Sequence, residues 1–134
     1  MPVTLSTVHI LVDDPDAALG FYRDALGFAV RHDVANGGFR WITLADAGRP
    51  DLAIVLSQPH AGRSAADGDA LAALLAKGEL RPIHLRTDDL EALFARLATV
   101  PGVEVIDAPA TRPWGARDGA VRDPAGNLIR IEQA

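Results

Sequence analysis

The chain has 134 residues, of which 49% are hydrophobic, a net charge of −5 from 18 acidic and 13 basic residues, and no cysteine. A chain of this size buries roughly two-thirds of the surface its unfolded form exposes, so one well-filled domain is expected, without disulfides or thiolate metal ligands as staples. The arginines are scattered, which argues against a phosphate-binding stripe and against nucleic acid. No stretch approaches the ~20 apolar residues of a membrane helix and no leader pattern marks the start, so no membrane partner and a cytoplasmic location are expected.

Residues 7–12 alternate as a strand. Asp14, placed ahead of Pro15, suits a helix cap, and the helix is predicted to run to about Leu26, where Gly27 can adopt a left-handed cap. Strands are predicted over residues 28–33, 39–44 and 52–57, separated by Asn-Gly-Gly and Ala-Gly-Arg-Pro turns. Residues 59–80 form a connector with a short helix predicted over residues 69–77, from Leu71, Leu74 and Leu75 among alanines. The pattern then restarts. A strand over residues 82–87 leads to the cap Asp89 and to a helix with Leu90, Leu93, Phe94 and Leu97 at helical spacing, ended by Pro101-Gly102. Further strands are predicted at residues 103–107, 116–122 and 127–132, the last two joined through Asp123-Pro-Ala-Gly-Asn127.

The restart is a repeat. His9-Ile-Leu-Val-Asp-Asp-Pro-Asp-Ala17 aligns with His84-Leu-Arg-Thr-Asp-Asp-Leu-Glu-Ala92, and Ala53-Ile-Val-Leu-Ser-Gln58 with Leu128-Ile-Arg-Ile-Glu-Gln133, both at an offset of 75. The fold class expected is α+β: two tandem β-α-β-β-β modules (residues 1–58 and 81–134, with connector 59–80) in a single domain. They form a curved mixed sheet with the helices outside. A sheet covered by a helix on one face leaves the other face unpartnered, so the two modules are expected to enclose a central cleft.

Val12-Asp-Asp-Pro-Asp-Ala-Ala leading to Phe21-Tyr-Arg-Asp-Ala-Leu-Gly-Phe28, together with Val121-Arg-Asp-Pro-Ala-Gly-Asn-Leu-Ile129, resembles the vicinal oxygen chelate superfamily over nearly the whole chain. That group includes glyoxalase I, extradiol dioxygenases, fosfomycin-resistance enzymes and bleomycin-resistance binding proteins. The scaffold hosts both enzymes and binding proteins, so function rests on the site. Mapped by the resemblance, the metal-ligand positions are Thr7, Pro82, Arg130 and Val55, none of them a good ligand for a divalent ion. Two residues further along, with side-chain direction preserved on a strand, lie His9, His84, Ser57 and Glu132. Two histidines and a carboxylate suit iron or zinc. A displaced site for one divalent ion (Fe, Zn, Mn or Ni) on His9, His84 and Glu132 is therefore the alternative to a metal-free cleft.

The aromatic residues are few, and Trp41 and Trp114 stand out as stacking walls for a planar ligand. Trp41 shares a strand face with Phe39 and Thr43, and either face of that strand can be the inward one. Trp114 lies in the Thr111-Arg-Pro-Trp-Gly115 loop. Arg130 is expected to anchor a ligand carboxylate or phenolate, or else to pair with Glu132 or Glu104. Asp13, Asp14, Asp88 and Asp89 are assigned to helix starts. The leading expectation is a dimeric protein that sequesters a small planar organic molecule, with His9, Trp41, His84, Trp114, Arg130 and Glu132 as ligand-binding residues. The alternatives are a metal-dependent lyase or dioxygenase and a metal-free enzyme with a histidine base.

Overall fold

The structure is a computed structural model and describes residues 2–134. Strand β1 (Thr7–Leu11) leads into α1 (Pro15–Leu19), which continues as a π-helical segment (Gly20–Ala25), followed by β2 (Ala29–Asn36), β3 (Phe39–Asp46) and β4 (Arg49–Ser57). The connector holds α2 (Ala65–Ala76). The second module comprises β5 (His84–Thr87), α3 (Leu90–Leu97), β6 (Glu104–Thr111), β7 (Arg117–Arg122) and β8 (Leu128–Gln133). The first sheet has the order β1-β4-β3-β2 and the second β5-β8-β7-β6, so both modules share one topology.

Local chemistry explains most boundaries. The Asp14 carboxylate accepts from the amides of Asp16 and Ala17, and Asp89 accepts from Ala92, which satisfies orphan donors at both helix starts. Gly27 has φ +83, as its place after the first helix requires. Gly37 and Gly38 both take positive φ, the geometry of a two-residue hairpin whose twist matches its strands. Several boundaries depart from expectation, β6 reaching Thr111 and β2 reaching Asn36, and two of the departures have a clear local cause. The connector helix starts earlier, because Ser64 accepts from the Asp67 amide and caps it. Strand β4 starts at Arg49, since only Ala47 and Gly48 are needed for the turn.

The helices of both modules cover one face of their sheets and build a single core. Ile10, Ile42, Leu44 and Leu56 of the first sheet, Phe21 and Tyr22 of the π-helical segment, and Leu90, Leu97, Val121, Ile129 and Ile131 of the second module belong to one buried cluster. Each such side chain contributes about 1.5–3 kcal/mol by leaving water. Phe21 and Tyr22 meet edge to face, with ring centroids 4.8 Å apart. Phe94 of α3 presses against β7 where Gly119 has no side chain: a Cβ there would stand 2.6 Å from the ring. The expected modules are present, but they carry two separate four-stranded sheets, and the faces opposite the helices remain open.

Candidate functional site

The open face of the first sheet can be read from its register. His9 lies opposite Val55, Val55 opposite Thr43 and Thr43 opposite His32, which forms one row across all four strands. Thr7, Ala53, Ala45 and Ala29 form the row on one side of it. On the other side Leu11 faces Ser57, and Trp41 faces Val34. Burial settles the question left open for β3: Ile42 and Leu44 are fully buried against the helices, so Trp41 and Thr43 point to the open side. This face carries aromatic, aliphatic, hydroxyl and imidazole groups and no Lys, Arg, Asp or Glu in these rows.

The second sheet's open face has the opposite character. Its rows are His84, Arg130, Ala120 and Asp107, then Arg86, Glu132, Asp118 and Ala110. Arg130 donates to Asp118 Oδ1 at 3.0 Å and to Asp107 Oδ2 at 2.9 Å. Arg112, from the loop after β6, donates to the same Asp118 Oδ1 at 2.6 Å and to the Asp118 carbonyl at 3.2 Å. Arg86 donates twice to Glu132 Oε1, at 3.0 and 2.8 Å. The Asp118 carboxyl is held below its ordinary range, first by the Arg112 hydrogen bond and further by the charge of Arg130, against the opposing effect of burial.

Trp114 sits at the tip of the β6–β7 loop and is 75% exposed. The loop is nonetheless fixed: the Arg112 amide donates to the Ala116 carbonyl at 2.7 Å, the Gly115 amide donates to the Arg112 carbonyl, and Gly115 has φ +97. The ring is thus presented to solvent on a rigid turn.

The six residues named from sequence fall into two groups. His9 and Trp41 lie on the first sheet's open face. His84, Arg130 and Glu132 lie on the second's, with Trp114 at the end of its β6–β7 loop. Within one chain these groups do not share a cavity. The two best-formed depressions, about 350 and 280 Å³, are lined by Leu5 with residues 49–52 and by residues between the modules such as Phe28, Leu93 and Arg96. Neither is lined by His9, Trp41, His84, Trp114, Arg130 or Glu132. These two depressions do not bring the two groups together.

Arg130 needs correction as well. Its ion-pair partners are neither Glu132 nor Glu104: Asp107 and Asp118 each accept from one of its terminal nitrogens. Glu132 likewise bonds Arg86 and neither histidine. The metal-ligand positions do not fit a divalent ion: Thr7 and Val55 offer at most a hydroxyl, Pro82 offers no donor side chain, and Arg130 is a paired cation. In the displaced set, His9 stands on a different sheet from His84 and Glu132. Among the described residues no group of three or more His, Asp or Glu side chains is placed to hold one ion.

Sequence reasoning missed Asp107, Asp118, Arg86 and His32. Arg130 on the last strand was the available signal for the first two, since a half-buried guanidinium requires carboxylates. His32 was not singled out, although it belongs to β2 and to the row of His9.

Comparison with known proteins agrees with this fold. A family model described as the Glyoxalase/Bleomycin resistance protein/Dioxygenase superfamily matches residues 4–131. An uncharacterised Bacillus subtilis (strain 168) protein, YurT, is 32% identical over 124 residues, which is 92% of this chain and 94% of that one. The crystal structure of UcmS2 superposes with a TM-score of 0.86 at 30% identity, covering all of both chains. TnmS3, an antibiotic binding protein from Streptomyces sp. CB03234, superposes with a TM-score of 0.71 at 31% identity, covering 98% of this chain and 96% of that one. No helix among the described residues is long and apolar enough to cross a membrane.

Proposed function

Since the chain belongs to the Glyoxalase/Bleomycin resistance protein/Dioxygenase superfamily, we propose that it binds and sequesters a small planar organic molecule as a homodimer. In that dimer the first sheet of one copy faces the second sheet of the other. The single observation that carries this reading is that the candidate residues lie on two open sheet faces that one chain does not close. Each face is half a site. Two copies arranged about a twofold axis complete two cavities, each with Trp41 and His9 on one wall and His84, Arg130, Glu132 and Trp114 on the other.

The likeness to an antibiotic binding protein over the whole chain supports sequestration. A flat ring stacks on Trp41 and Trp114 without any bond being broken. Within one chain His9 stands on a different sheet from His84 and Glu132, so no single chain gathers the metal-ligand alternative. The absence of cysteine accords with a reducing compartment, the cytoplasm.

The test is titration with acridone, a planar tricyclic probe, while tryptophan fluorescence and molecular mass are followed. Quenching that saturates at one probe per chain, in a species of twice the chain mass, with acridone recovered unchanged, is the expected result. A monomer that does not quench, or a chemically altered probe, would sink the reading. Metal content measured on protein purified without chelator or affinity tag, beside His9→Ala and His84→Ala variants, tests the metal-dependent alternative directly. One equivalent of iron, zinc, manganese or nickel, lost in both variants, would establish it.

A further inference from the structure

The β6–β7 hairpin that carries Trp114 projects past its sheet. The last ladder pair between β7 and β8 is Asp118 with Glu132, so residues 111–117 have no third strand beside them. β6 is an edge strand, and its register slips near the tip: Asp107 faces Ala120, but Ala110 faces Asp118. Pro109, inside that slip, has no amide to donate. A bulge followed by an unsupported tip is where a hairpin bends.

The shape of the tip is set locally. The Arg112 amide donates to the Ala116 carbonyl and the Gly115 amide to the Arg112 carbonyl, while Gly115 takes φ +97 and Trp114 does not take a positive φ. That is a type I turn closed by a glycine bulge, with Pro113 where such turns favour proline. None of these bonds holds the tip against the rest of the module. Two ion pairs do so, one from each face. On the open face Arg112 Nε donates to Asp118 Oδ1 at 2.6 Å, and a terminal nitrogen of Arg112 donates to the Asp118 carbonyl at 3.2 Å. Arg130 of the inner strand β8 donates to the same Asp118 oxygen at 3.0 Å. On the helix face Arg117 donates to Glu91 in the first turn of α3. The two ties differ in their access to water. The Asp118 side chain is 10% exposed and that of Glu91 57%, and an exposed pair is screened and worth little.

We infer that Arg112 and Asp118 are positioning residues of the ligand site: their bond sets the orientation in which the hairpin tip presents Trp114, and the Arg117–Glu91 pair contributes less. The inference rests on the planar-ligand reading above, in which Trp114 is one stacking wall. A ring that is 75% exposed makes too few contacts to hold itself in place. Without the tie, the ligand has to order the tip as it binds, and affinity falls by that cost.

The tie is read first without ligand, in Trp41→Phe protein, whose only tryptophan is Trp114. Adding Arg112→Ala is expected to introduce a nanosecond component into the decay of tryptophan fluorescence anisotropy, the timescale of loop motion. Arg112→Lys, which keeps a charged donor, should suppress part of that component, and Arg117→Ala should introduce less of it than Arg112→Ala. In chains that retain Trp41, Arg112→Ala is expected to bind acridone about fivefold more weakly, with Arg112→Lys intermediate. Asp118→Asn gives the same directions of change if Arg112→Ala does not fold. Acridone binding by the unaltered protein, with anisotropy decay and affinity unchanged in the Arg112 or Asp118 variant, overturns the inference and leaves the planar-ligand reading intact. A larger nanosecond component in Arg117→Ala than in Arg112→Ala overturns it too. Failure of the unaltered protein to bind acridone removes the planar-ligand reading itself, and the inference falls with it.

Discussion

The phenol of Tyr22 donates to Asp123 Oδ2 at 2.6 Å across the boundary between the modules, at a sequence separation of 101. Asp123 is 1% exposed, and its other oxygen accepts from the amides of Ala125, Gly126 and Asn127. Asn127 completes the link by donating to Asp123 Oδ2 and to the Leu11 carbonyl, both at 2.8 Å. The last hairpin is therefore tied both to the first helical segment and to the end of β1, the strand that carries His9. The repeat does not reproduce this tie, because the positions offset by 75 are Leu97 and Gly48. The two modules are thus joined by an asymmetric latch as well as by the shared core.

Tyr22→Phe removes one hydrogen bond to a buried charged group and leaves the ring in place. A loss of about 1.5–3 kcal/mol in unfolding free energy is expected, read by urea denaturation. Asp123→Ala strands three backbone amides and the Asn127 amide group, so its cost should exceed that of Tyr22→Phe. Equal stabilities for all three proteins would show that the latch does not hold the modules together.

The same pair, set against Asp118, gives opposite pH dependences. The folded value of Asp118 lies below its ordinary 3.8, first because of the Arg112 hydrogen bond. Its stabilisation is whole above 3.8 and is lost as pH falls through the folded value. Asp123 is raised above 3.8, chiefly by burial. Its ionised form is disfavoured in the fold, so its contribution is greatest at acid pH and declines as pH rises through the folded value. Denaturation midpoints from pH 3 to pH 7 should show Asp118→Asn converging with the unaltered protein toward acid. Asp123→Asn should diverge from it there. Parallel curves for both variants would rule out the assignment.

Much of this was legible in the sequence, for local reasons. Helix caps, hairpin glycines and alternating strands are short-range features, and the 75-residue offset survives in the sheets: His9 lies opposite Val55, and His84 opposite Arg130. The partners of Arg130 were not legible, because Asp107 and Asp118 reach it only through the register of β6, β7 and β8. That register is not a copy of the first module's: Val55 faces Thr43, whereas Arg130 faces Ala120 and not Asp118. A five-residue turn in the second module, against a two-residue turn with a register shift between Ala45 and Asp46 in the first, leaves the facing strands two positions out of step. Whether a chain closes its own cleft depends on how modules dock, and no local pattern encodes that.

Gly119→Ala tests how tightly α3 sits on the second sheet. A methyl group there meets the Phe94 ring at 2.6 Å and the Asp107 carbonyl at 2.7 Å. One of these contacts is backbone, so rotation of the ring does not relieve both. Overpacking of this kind costs about 1–3 kcal/mol. Phe94→Leu in the same chain should recover part of the loss. A fully stable Gly119→Ala protein would mean that α3 lies further from β7 than described.

The shared-site arrangement makes its own prediction about tryptophan variants. Trp114 is 75% exposed, so Trp114→Ala should change stability by no more than about 0.5 kcal/mol while weakening acridone binding at least tenfold. Trp41→Ala should weaken binding similarly. Mixing the two variant proteins after mild dissociation then discriminates the architectures. If Trp41 of one copy works with Trp114 of the other, each mixed dimer has one cavity lacking both rings and one cavity with both intact. Binding should return to about a quarter of the original site number, since statistical exchange makes half the dimers mixed and restores one of two cavities in each. If each cavity belonged to a single chain, every cavity in the mixture would still lack one ring and no binding would return. Recovery of tight sites on mixing is therefore the measurement that ties the open faces of two copies into one site.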